Sequence, residues 1–254
     1  MKKLIPFLFL GLAVAGLMLL LNACGDSSDS APSPQTGTGG SMARFAITGN
    51  TLYIVSKESL EVYDINDGQN PTKTVTKNLG VGIETIFPYQ NKLFIGSNDA
   101  MYIYDNSKPN APELTSKYTH VVSCDPVVVQ GQYAYVTLRA GTNCRPAGSF
   151  SSLDVVDISD PSNPRMVGSQ RMDSPYGLGV SGNKLFVCEG DRGFRMMDIT
   201  DPKVPIEKQF FQDVPAYDVI VRSNQLIVTG KGGLFQYKYD DSDSLQYLSK
   251  IPVL

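Results

Sequence analysis

Carboxylates, a pair of tyrosines and a few cations are the residues of this chain with chemistry to offer. Local motifs for catalysis do not occur. His120 is the only histidine, which excludes a multi-histidine metal centre. There is no Gly-x-Ser-x-Gly elbow and no Cys-x-x-Cys pair. Asp240-Asp-Ser-Asp243 has acids at a calcium-like spacing but lacks the central Gly and terminal Glu of a calcium loop, so it reads as a solvated hairpin. Neither a metal ligand set nor a cofactor is expected. What the polar residues do therefore depends on where the fold places them.

The placing elements repeat. Leu153-Asp-Val-Val-Asp157-Ile-Ser-Asp-Pro161-Ser-Asn-Pro164 is a strand-like run ending at an Asp and followed by a double-proline turn. The design returns at Met101–Pro112 and Phe194–Pro205, and in a weaker copy at Leu60–Pro71. In all four the Asp stands seven residues before the last Pro. An Asp carboxylate closes an Asx-turn on the backbone two residues ahead, and proline ends a strand by fixing φ and removing a donor. These four Asp residues read as structural rather than catalytic.

Ahead of each Asp lies a hairpin: Gly49-Asn-Thr-Leu-Tyr-Ile-Val55, Gln90–Gly96, Gly131–Thr137, Gly182–Cys188 and Ser223–Thr229. Gly and Asn supply the left-handed backbone that tight antiparallel turns need. Measured at Asp64, Asp105, Asp157, Asp198 and the aligned Lys238, the period is 41, 52, 41 and 40 residues, the long one holding an insertion over Arg139–Ser152. The fifth unit lacks the Asp and the prolines, as terminal repeats often do. Four antiparallel strands in about 41 residues predict a β-propeller blade. The expected fold is all-β, a five-bladed β-propeller of four-stranded antiparallel blades over 44–254. Each blade is built from contiguous sequence, so no terminal strand should complete a blade at the other end, and the seam between blades one and five should be weakest.

The recurring Leu153-Asp-Val-Val-Asp-Ile and Asp-Pro-x-x-Pro residues resemble the LVIVD repeat of bacterial surface and secreted proteins. That resemblance implies propeller blades and says little about function.

The first 23 residues read differently. Lys2-Lys3 precedes an apolar run, Leu4–Leu21, and Asn22-Ala23-Cys24 follows. This is the pattern of a secretory signal. Leu21-Asn-Ala-Cys24 resembles the bacterial lipobox, although Asn22 departs from the small or β-branched residue usual there. The resemblance implies that Cys24 carries a lipid and anchors the chain in the cell envelope, with the outer membrane as the expected address. Residues 24–43, rich in Gly, Ser, Asp and Pro, are expected to be a flexible tether. Without the two lysines of the leader the chain has 20 basic and 25 acidic residues, net −5, which argues against nucleic acid as a partner.

Aligning the units places Glu84, Asp125, Tyr176 and Tyr217 at equivalent inner-strand entries, with Asp218 one position further in. The loops joining second and third strands add Asp99, Arg139, Glu189, Asp191, Arg192 and Lys231 to the same face. Glu84, Asp125, Arg139, Tyr176, Arg192, Tyr217 and Asp218 are therefore the expected ligand or partner face. Cys124 and Cys144 belong to that face too, and a Cys124–Cys144 disulfide is expected, with Cys188 reduced at the end of its strand. Two function classes follow. One is a non-catalytic, membrane-anchored lipoprotein that binds an envelope protein or glycan. The other is a glycan hydrolase or lyase using Glu84, Asp125 or Asp218, for which a carboxyl pair about 5–10 Å apart would be needed.

Overall fold

Alternating apolar and polar residues, broken at fixed intervals by Gly, Asn and Pro, leave this chain little choice but short antiparallel strands. The computed structural model describes residues 40–119, 126–142, 148–240 and 242–253. Blade one is β1 (Phe45–Thr48), β2 (Thr51–Val55), β3 (Ser59–Asp64) and β4 (Thr72–Asn78). Blade two is β5 (Ile83–Tyr89), β6 (Lys92–Ser97), β7 (Ala100–Asp105) and β8 (Glu113–Thr119). Blade three is β9 (Val127–Gln130), β10 (Tyr133–Leu138), β11 (Ser151–Asp157) and β12 (Arg165–Met172). Blade four is β13 (Leu178–Ser181), β14 (Lys184–Cys188), β15 (Phe194–Asp198) and β16 (Ile206–Phe211). Blade five is β17 (Asp218–Arg222), β18 (Gln225–Gly230), β19 (Gly233–Tyr239) and β20 (Leu245–Ile251). Every sheet is paired in chain order, so the five blades are contiguous units in a propeller ring, and among the described residues no terminal strand joins the opposite blade.

The hairpin turns behave as their residues require. Gly49, Gly131 and Gly182 sit at φ of 56°, 60° and 57°, and Gln90 takes the same conformation at 52°. Each repeat Asp closes its Asx-turn: Asp64, Asp105, Asp157 and Asp198 accept the N–H of Asn66, Ser107, Ser159 and Thr200 at 2.7–2.9 Å. The Ser107 hydroxyl, the Ser159 N–H and the Thr200 hydroxyl are the leading partners that hold the Asp105, Asp157 and Asp198 carboxyls below the usual range. Blade five keeps the device in another place. Its third strand runs one residue past the aligned Lys238, and Asp240 accepts from Ser242 at 2.8 Å. All five blades share one further feature. Pairing of the third and fourth strands slips by a residue at Val62/Tyr63, Ile103/Tyr104, Val155/Val156, Met196/Met197 and Gln236/Tyr237. A bulge at this point bends the outer strand and adds twist.

Blades pack face to face through four clusters of buried apolar side chains. Tyr53, Leu60 and Val62 meet Ile83, Leu93 and Ile95; Phe94 and Ile103 meet Val127 and Val136. Tyr135, Leu153 and Val155 meet Leu178, Leu185 and Val187; Phe186, Phe194 and Met196 meet Val219, Leu226, Val228 and Tyr237. Among the described residues no such cluster joins blade five to blade one. Phe45 is 60% exposed, and Ile47 and Ile54 of blade one and Ile220 and Ile227 of blade five are only half-buried.

Residues 40–43, the end of the stretch expected to be a tether, are seated against the ring. Ser41 is 1% exposed, Gly40 is buried, and the Ala43 carbonyl accepts the N–H of Ile86 at 3.0 Å. Polar composition does not distinguish a loose linker from a polar segment seated among partners.

Candidate functional site

The five first strands line a central channel, and their entry ends form its mouth. Inside is a cavity of about 120 Å³ walled by Ala46, Ile86, Phe87, Val128, Leu178, Val219 and Val221. Gly40 and Ser41 lie over it. The Asp218 carboxylate accepts the Ser41 hydroxyl at 3.3 Å. Ser41 Oγ in turn accepts the N–H of Leu178 at 2.7 Å. Burial pushes the Asp218 pKa up to about 6, against the lowering pull of its hydrogen bonds. Close approach needs two glycines, since a Cβ at Gly40 or Gly177 would run into the Asp218 carboxylate.

Beside Asp218 the mouth of blades three to five carries a chain of stacked and bonded groups. The Arg139 guanidinium lies 3.7 Å from the Tyr176 ring centroid, and Tyr176 meets Tyr217 edge to face at 5.2 Å. The Tyr217 hydroxyl donates to Asp191 at 2.9 Å, which raises the phenol's pKa. Backbone bonds hold the entries in place: Gly177 N–H donates to the Tyr217 carbonyl at 2.9 Å, and Thr137 Oγ1 donates to the Tyr176 carbonyl at 2.7 Å. Three adjacent blades thus contribute to one preorganised row: Arg139 from blade three, Tyr176 and Asp191 from blade four, and Tyr217 from blade five.

The remaining candidates separate. Glu84 is bridged at 2.7 Å to Arg44 on the blade-one side. Arg192 pairs with Asp173 at 2.9 Å and lines a groove of about 570 Å³ with Phe210, Gln212 and Asp213. Beneath it Arg195 is ringed by acids: Asp173 and Glu189 at 2.9 Å each, and Glu207. Glu189 is 0% exposed and also accepts the Ser174 N–H at 2.6 Å, so this group is a blade-four buttress rather than an open site. Asp99 bridges Lys117 at 2.9 Å on the blade-two side. Asp125, Cys124, Cys144 and His120 lie outside the described residues, and with them the expected disulfide. Cys188 is a free, fully buried thiol whose pKa burial raises. Among the described residues no group of three His, Cys, Asp or Glu side chains is arranged to hold a metal ion.

Sequence reasoning missed Ser41, Arg44, Asp173 and Arg195. Arg44 could have been found, because it occupies the blade-one position equivalent to Asp218. Ser41 had no signal, since it stands outside the repeat.

Comparison with known proteins supports the architecture. The LVIVD repeat matches residues 147–171 and 176–213, which cover much of blades three and four. None of the curated proteins matches the chain. Among solved structures, a functionally unknown protein from Desulfotomaculum acetoxidans superimposes at a TM-score of 0.66 with 10% identity, covering 87% of this chain and 70% of that one. The periplasmic gluconolactonase of Pseudomonas aeruginosa gives 0.61 with 12% identity over 81% and 68%. BamB from Moraxella catarrhalis gives 0.57 with 9% identity over 77% of this chain and 56% of its own. At these identities the likeness is one of fold alone.

Proposed function

We propose that the protein is a membrane-anchored, non-catalytic binding protein of the cell envelope, held by a lipid on Cys24 and presenting the channel mouth to a protein or glycan partner. The observation that carries the binding role is the row Arg139–Tyr176–Tyr217–Asp191. Rigid strands from three blades hold two aromatic rings and their polar ends at one rim, where stacking and hydrogen bonding combine at low conformational cost. Two of the three carboxylates that a glycan hydrolase or lyase would use are otherwise engaged: Glu84 by Arg44, and Asp218 by Ser41. A general acid or nucleophile must reach the substrate, and these two are turned to the chain's own lead-in.

Affinity capture from detergent-solubilised membranes tests this reading. A partner held by the wild type and lost by Tyr176→Ala and Tyr217→Ala variants of unchanged thermal stability is the expected result. Equal capture by both variants would remove the mouth from the function. For the anchor, Cys24→Ala should abolish acyl labelling, and labelling that persists would refute lipidation there.

A further inference from the structure

The lead-in Gly40–Ala43 is bound at the mouth the way a peptide is bound by a receptor. Three blades contribute to holding it. Asp218 of blade five accepts the Ser41 hydroxyl at 3.3 Å and stands against Gly40. The Leu178 N–H of blade four donates to Ser41 Oγ at 2.7 Å, and the Ile86 N–H of blade two donates to the Ala43 carbonyl at 3.0 Å. Bonds to the backbone are indifferent to side chains, so selectivity rests on two places. The Ser41 hydroxyl both donates and accepts, which hydrophobic residues cannot do. At Gly40 any side chain would meet the Asp218 carboxylate. Met42, 43% exposed, goes unread. The recognised pattern is Gly-Ser.

The segment is also poorly fastened by other means. Beyond the single Ile86 bond it pairs with no strand, and its one large apolar side chain, Met42, is 43% exposed. What retains it is mainly this set of hydrogen bonds, each of modest net strength in competition with water.

We infer that the channel mouth is a peptide seat, which the chain fills with its own Gly40–Ala43 and which a Gly-Ser-bearing peptide of a partner protein takes by displacing them. The inference rests on the reading of the mouth as a binding surface and makes its partner a protein. Tyr176 and Tyr217 flank the seat, because Gly177, against the Asp218 carboxylate, follows one of them and Asp218 follows the other. A ligand in the seat would lie beside the aromatic row. The resident segment competes as an intramolecular ligand, with an effective concentration in the millimolar range.

The test uses the full chain, isotope-labelled, and the end-blocked hexapeptide Gly-Gly-Ser-Met-Ala-Arg, read at the amides of Leu178, Ile86 and Val219. Ser41→Ala weakens the resident. In that variant the peptide should shift those three amides with half-saturation at least ~10-fold below that of the wild type. A Gly-Gly-Ala-Met-Ala-Arg peptide should leave them unmoved, and adding Asp218→Ala should abolish the response. If peptide at ~10 mM, above the expected effective concentration, moves none of these amides in Ser41→Ala, the seat is refuted. Loss of partner capture in Tyr176→Ala without any peptide response sinks the seat and leaves the mouth reading standing. A peptide response with capture unchanged in Tyr176→Ala and Tyr217→Ala sinks the mouth reading instead.

Discussion

The joint between blades four and five and the seam between blades five and one are the same kind of junction closed by different means. At the joint, Phe186, Phe194 and Met196 are buried against Val219, Leu226, Val228 and Tyr237, with Phe186 edge to face on Tyr239 at 5.5 Å. At the seam, Ile47, Ile54, Ile220 and Ile227 are half-buried, and the chain crosses the mouth nearby as Gly40–Ala43, fastened by a carboxylate and a hydroxyl. Apolar burial is non-directional and cumulative, so the four joints resist local opening. A polar clasp depends on a few groups and can be undone one group at a time. The difference is what the proposed exchange at the mouth requires: a rigid scaffold beside a segment that can be released.

The comparison predicts a graded set of effects. Truncating the joint should be worst. Phe186→Ala leaves a large cavity in a packed cluster and should cost about 3–5 kcal/mol in denaturant unfolding, whereas a loss under about 1 kcal/mol would mean that the joint is loosely packed.

Next comes pH. Asp218 has a folded pKa of about 6 against an ordinary 3.8, so the folded state holds this proton more tightly. Its contribution to stability is fully present below about 3.8 and is lost as pH rises through about 6. The wild type should therefore lose up to about 3 kcal/mol relative to Asp218→Asn between pH 4 and 7. Parallel stability curves for the two proteins over that range would contradict the burial of this carboxyl.

Ser41→Ala leaves the Leu178 N–H without its acceptor and should cost about 1–2 kcal/mol. The sharper readout is local. Amide exchange should accelerate at Leu178 and Ile86 while Leu185 and Phe186 keep their protection, and uniform acceleration would show that clasp and joints open together. Smallest is Ile54→Ala on the seam face of blade one, expected to cost less than about 1 kcal/mol because the residue is only half-buried. A loss as large as that of Phe186→Ala would show the seam to be packed like the joints.

Much of this molecule was legible in its sequence. The Asp–Pro period, the Gly/Asn turns and the strand alternation determined five contiguous blades, the Asx-turns at Asp64, Asp105, Asp157 and Asp198, and the rim position of Tyr176 and Tyr217. All of these are local: a turn residue acts on backbone two or three places away, and the repeat multiplies each signal. Tertiary structure decided the rest. Glu84 and Arg44 are 40 residues apart, Ser41 and Asp218 are 177 apart, and nothing in either neighbourhood announces the other. Arg192 pairs with Asp173, and Asp218 accepts from Ser41 of the chain's own lead-in. Closing a ring brings such residues together from blades far apart in sequence, so their pairing depends on the curvature of the whole. The same closure seats Gly40–Ala43, which composition alone assigns to a linker, at the channel mouth.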